Sequence, residues 1–218
     1  MPAAATVYAP NTTPGDARLA DLGVPATILQ EALVEGAMAR DRCTPNHPPT
    51  FPGLLAWGET VRAIRDRLAP SGWRRNDAGG LSTVVDAGGL VAIAVATGDE
   101  ATGDAAFPPS TKYTKGPSTQ LMIEGNQGVL EFMREERTGD GPRRVTWLLL
   151  FRRIENEIRA ELSLPVAIGV DGRVDAWQER IILSPIRLDG VNVPDVDPEP
   201  TAEIVVEVNR IGRTTSGV

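Results

Sequence analysis

Seven consecutive residues, Val145-Thr146-Trp147-Leu148-Leu149-Leu150-Phe151, constrain the fold more than any others in the chain. Successive side chains of a strand point to opposite faces, so a strand with this sequence is apolar on both. It belongs in the middle of a sheet that is covered on two sides. The segment 90–97 repeats the pattern in another form. Val91, Ile93 and Val95 share one face, while Ala92, Ala94 and Ala96 share the other, where small side chains let a helix come close.

Candidate covering helices are present. Ile28, Leu29, Ala32, Leu33, Gly36 and Ala37 recur at helical spacing behind Pro25, which predicts a helix over 25–41. Leu54, Trp57, Val61, Ile64 and Leu68 predict a second over 53–68, stopped by Pro70-Ser71-Gly72. Pro45, Pro48, Pro49 and Pro52 forbid a helix between them. A third is expected over 118–136, with Leu121, Met122, Val129, Leu130, Phe132 and Met133 toward the core.

Elsewhere the period is two. Short strands are expected over 73–77 and 81–86, followed by an Ala87-Gly88-Gly89 turn. Residues 152–156 read as a turn. Beyond it Ile158, Ala160, Leu162 and Leu164 alternate with Glu157, Arg159, Glu161 and Ser163 as a half-exposed strand. Asp171-Gly172 signals a hairpin, with a further strand over 179–186. Trp57, Trp73, Trp147 and Trp177 read as packing residues.

The expected fold is therefore a single α+β domain over 16–188, with about three helices and a mainly antiparallel or mixed sheet. Residues 1–15, rich in Ala, Pro and Thr, read as a flexible arm. Residues 189–218 read as an acidic Pro/Asp-rich linker carrying a terminal strand over 203–208.

Composition narrows the function. The 218 residues carry a net charge of -7, which argues against a general nucleic-acid coat or a polybasic membrane binder. The charge is uneven: six acids and no bases lie between Asp189 and Glu207. No run approaches the ~18 apolar residues of a membrane span. The first ten residues lack the basic and apolar regions of a signal peptide. One cysteine, Cys43, allows no intrachain disulfide, and a cytoplasmic setting is expected, with no membrane partner.

The common nucleotide-binding glycine fingerprints and the nucleophile-elbow serine motif are absent from the sequence. The lone His47 and lone Cys43 exclude multi-histidine and thiolate metal sites. They stand four residues apart, with Asn46 available to orient an imidazole. Catalytic Cys-His partners usually meet through the fold rather than locally, so the pair reads as a small buried cysteine and a surface histidine.

The chain has 20 arginines and only two lysines, and both lysines fall in one long loop over 98–117. Loops of this length inside compact domains are uncommon and often functional. Lys112 and Lys115 flank Tyr113, with hydroxyls from Ser110, Thr111 and Thr114. Ammonium groups and hydroxyls suit phosphate, a tyrosine can stack on a base, and the helix beginning nearby adds a positive end. The leading expectation is a non-catalytic binding protein, without a cofactor, that recognises a phosphate-bearing ligand through this loop, nucleic acid first among candidates. The pairs Arg74-Arg75, Arg143-Arg144 and Arg152-Arg153 could add charge.

Two other readings follow from the same residues. Helix 53–68, three strands, helix 118–136 and strand 145–151 resemble the α-β-β-β-α-β order of restriction-endonuclease-like nucleases. That resemblance is topological and spans 53–151. It implies a Mg²⁺ site with an acid on the second core strand, matched by Asp86, and an acid-x-lysine on the third. That third strand reads Ala92-Ile93-Ala94-Val95-Ala96, so only Asp99, Glu100 and Lys112 of the next loop could substitute. The last reading is an interaction or assembly module that adds its 203–208 strand to the sheet of a protein partner.

Overall fold

The computed structural model describes residues 4–134 and 144–188. Among them are four α-helices: Thr13–Asp21 (α1), Ala26–Asp41 (α2), Phe51–Leu68 (α3) and Pro117–Arg134 (α4). The strands are Thr6–Tyr8 (β1), Arg74–Asn76 (β2), Thr83–Val85 (β3), Val91–Thr97 (β4), Val145–Ile154 (β5), Glu157–Ile168 (β6), Val174–Ile182 (β7) and Ile186–Arg187 (β8). They form one sheet in the order β1-β7-β6-β5-β4-β3-β2, with β8 also on β6.

The doubly apolar segment is central, as its sequence requires. β5 pairs in parallel with β4 on one side and antiparallel with β6 on the other. β1 also runs parallel to its neighbour β7. The fold is α+β and the sheet is mixed. Helices α1–α3 cover one face, where Leu29, Leu33, Ile64 and Leu68 pack with Trp147, Leu149 and Leu162. On the other face Ile123 of α4 packs with Ala94, Ala96, Leu148, Leu150 and Trp177. The small residues of β4 thus sit under a helix. Trp73, Trp147 and Trp177 are buried, and half-buried Trp57 donates its indole N–H to the Val95 carbonyl at 3.1 Å.

Helices α2 and α3 touch closely at Gly36. A Cβ there would lie 2.1 Å from Thr60 Oγ1 and 2.6 Å from the Ala56 carbonyl oxygen. Gly36→Ala is therefore expected to destabilise the protein by about 1–3 kcal/mol in urea unfolding, opposite in sign to the usual gain from alanine within a helix. Unchanged or raised stability would contradict this packing.

Several boundaries differ from expectation. Within the expected 1–15 arm, residues 6–8 form β1 and residues 13–15 open α1, which continues to Asp21. Arg18 of α1 ties this part to the sheet through a forked pair with Glu179, at 2.7 and 2.9 Å. The expected turn over 152–156 shortens to Glu155-Asn156, because β5 continues to Ile154 and β6 begins at Glu157; Glu155 adopts a φ of 51°. Leu121 is 67 % exposed, since α4 buries Thr119, Ile123, Asn126 and Val129 instead. Leu54 is also exposed. The acidic 189–218 segment and its expected strand lie outside the described residues.

Candidate ligand-binding loop

The segment after β4 leaves the sheet and returns to the same point. Gly98 bridges Thr111, Asp99 N–H donates to the Ser110 carbonyl at 3.0 Å, and Lys112 N–H donates to the Thr97 carbonyl at 2.9 Å. Residues 99–110 therefore form an Ω-loop with a closed neck. Asp99 fastens that neck: one carboxylate oxygen accepts from the N–H and the hydroxyl of Ser110, both at 2.9 Å, and the other from Ala101 N–H at 3.1 Å.

The floor of the loop is ionic. Glu161 of β6 and Arg180 of β7 are 0 % and 2 % exposed. The register Leu150↔Glu161 and Leu148↔Ser163↔Arg180 puts them on the face opposite α1–α3. Arg180 Nε donates to Glu161 at 2.7 Å and Nη2 donates to it at 3.0 Å. The same guanidinium donates upward to the Asp104 carbonyl at 2.8 Å and the Phe107 carbonyl at 3.1 Å. Glu161 also accepts from Gly103 N–H at 2.9 Å and Ser163 hydroxyl at 2.8 Å. Gly103 has a φ of 77°, and a Cβ there would come 3.0 Å from Arg159 Cβ, so the loop lies directly on β6.

The returning stem is sewn to the β6–β7 hairpin. Thr111, fully buried, donates its N–H to the Val174 carbonyl at 2.9 Å, and its hydroxyl accepts from Val174 N–H at 3.1 Å. That hydroxyl donates to the Tyr113 carbonyl at 3.0 Å. Trp177 Nε1 donates to the Pro109 carbonyl at 2.8 Å, and Lys115 N–H to the Gly172 carbonyl at 2.8 Å.

These bonds divide the expected site residues into two groups. Ser110, Thr111 and Asp99 build the scaffold. Lys112, Tyr113, Thr114 and Lys115 form a half-buried to exposed run that leads into α4, with Lys112 Nζ 5.6 Å from the centre of the Tyr113 ring. At the apex, Ala105, Ala106, Phe107 and Pro108 are exposed, Phe107 to 62 %.

The acids of the nuclease reading are not brought together. Asp86 braces the β3–β4 turn by accepting from Gly88 N–H at 2.9 Å and Val91 N–H at 2.7 Å. Asp99 lies beyond the far end of β4, whose seven residues set the two acids roughly 20 Å apart. Glu100 pairs instead with Arg152 at 3.0 Å. Among the described residues no group of three His, Cys, Asp or Glu gathers where it could hold a metal. Cys43 is half-buried. His47 accepts from Thr44 N–H at 3.0 Å and stacks on Phe51 at 5.2 Å, so both of its contacts are local.

Sequence reasoning missed Glu161 and Arg180. The alternation of β6 put Glu161 on a solvent face, and only the covering loop makes that face interior. Two pockets among the described residues, one lined by Val61, Ile64, Ser82 and Val95 and one by Asn11, Asp16, Gln30 and Ser184, hold about 10 and 40 Å³. Small-molecule sites usually enclose roughly 300–1,000 Å³. No described helix is long and apolar enough to cross a membrane. No family model, curated protein or solved structure matches the chain, so a functional reading rests on this loop and the residues around it.

Proposed function

We propose that this protein acts by binding rather than turnover, and that it recognises a phosphate-bearing ligand, nucleic acid first, through the 98–117 segment. The supporting observation is the construction of the loop. Its neck, floor and returning stem are fixed by interior bonds, so Lys112, Tyr113 and Lys115 are carried on a rigid base, as binding residues commonly are. An ammonium group beside a tyrosine ring offers charge for phosphate and a surface for a base in one place. A reducing, cytoplasmic setting suits the single cysteine.

The test is fluorescence anisotropy of labelled single-stranded DNA, double-stranded DNA and RNA over a salt series. Affinity should fall with salt. The Lys112→Ala/Lys115→Ala double variant should bind at least fivefold more weakly and lower the salt slope on single strands by about 1.4. Absence of binding by the wild type at low salt would overturn the reading. With Mg²⁺ the probe should stay intact; a cut probe would favour the metal-dependent alternative.

Phe107 favours a second reading, an interaction module. An aromatic side chain exposed at the tip of a loop whose carbonyl is held by Arg180 has the character of an anchor for a partner's apolar pocket.

A further inference from the structure

The register of β5 and β6 sets Arg152 directly opposite Arg159. Residues paired in this way project to the same face, roughly 5 Å apart at Cβ, and like charges so placed repel. β8 sets Arg187 opposite Glu157, two residues before Arg159, so a third arginine shares the face. This is the face on which the Ω-loop lies, and the arginines stand at its root.

Two glutamates offset them unequally. Glu157 accepts from Arg159 Nε at 2.9 Å. Glu100 makes one contact with Arg152, to Nη2 at 3.0 Å, from a side chain that is 85 % exposed. Arg152 Nε is buried and has no hydrogen-bond partner. An arginine's Nε and Nη form a fork matched to two oxygens of a phosphate. In Arg152 the Nη2 end of that fork holds a glutamate oxygen from an exposed side chain, while Nε is closed to solvent and unpaired.

We propose that Arg152 and Arg159 form an oxyanion site at the root of the Ω-loop, which takes the phosphate group of the ligand. Glu100 is the internal stand-in that the phosphate displaces. This deepens the reading above and rests on it, adding an arginine fork to the lysines of the loop's stem. A phosphate in place of the Glu100 carboxylate takes the Arg152 Nη2 donor and lies beside two like charges whose repulsion a single exposed carboxylate offsets only in part.

The test is an NMR titration of arginine Nε–H resonances with inorganic phosphate, against chloride at matched ionic strength. The Arg152 resonance is assigned by its loss in Arg152→Lys, which keeps the charge and removes the fork. A saturable shift of that resonance is expected with phosphate alone. Affinity should tighten at least threefold in Glu100→Gln and weaken at least threefold in Arg159→Gln. A shift no larger than that given by chloride, or an affinity that Glu100→Gln leaves unchanged, would overturn the site. Nucleic-acid binding that survives Arg152→Lys at full strength would also overturn it while leaving the broader reading intact. Phosphate binding at Arg152 without any nucleic-acid binding would do the reverse.

Discussion

Arg180→Ala is expected to cost roughly 3–5 kcal/mol of stability, because it leaves Glu161 as an uncompensated buried charge. Glu161 would retain only Gly103 N–H and the Ser163 hydroxyl as donors. The carbonyls of Asp104 and Phe107 would lose theirs. The melting temperature should fall by roughly 10 °C for a chain of this size. The double variant Glu161→Leu/Arg180→Met separates two roles of the pair. Removing both charges should recover most of the thermal stability, since buried pairs often exchange for apolar groups at little net cost. The loop should stay loose, because its carbonyls still lack a donor. Limited proteolysis around residues 104–108 should therefore be faster than wild type in both variants. Equal cleavage rates would contradict the role given to Arg180.

Asn126→Leu should cost a comparable amount, roughly 3–5 kcal/mol by urea unfolding. The Asn126 amide donates to the Thr146 carbonyl at 2.9 Å and the Pro165 carbonyl at 3.0 Å, and its oxygen accepts from Thr146 N–H at 2.7 Å. All of this is buried, and each polar group left without a partner costs about 1–3 kcal/mol. Leucine fills similar space and can replace none of the bonds. The effect should reach the loop as well, since the lysine segment runs directly into α4. A stability loss below about 1 kcal/mol would mean that α4 is held by its apolar contacts alone.

The apolar β5 and the valine/alanine alternation of β4 had one physical solution, and both strands lie in the middle of the sheet. Helices α2 and α3 followed from the spacing of Leu29, Leu33, Ile64 and Leu68. The region before residue 25 carried a weaker signal. α1 buries only Gly15 and Leu19, although Thr12 as N-cap, Pro14 in the first turn and Asp16 are the marks of a helix start. β1 is three residues long and owes its place to pairing with β7. The 98–117 loop stood out by its length and by its two lysines. Much of its scaffold did not, because beyond Asp99 and Ser110 the residues that hold it come from the β6–β7 hairpin, more than 50 positions later. The pairing of Arg152 with Arg159 likewise appears only once register is known.

The measurement to make is hydrogen–deuterium exchange of the full chain, alone and with saturating single-stranded nucleic acid at low salt. Without ligand, the amides of Gly103 and Thr111 should already exchange slowly, since Glu161 and Val174 hold them. With ligand, new protection should be confined to peptides covering 98–117 and the 152–159 end of the β5–β6 hairpin at its root. Protection that falls elsewhere on the sheet, or no change within 98–117, would contradict the assignment of this loop as the binding element.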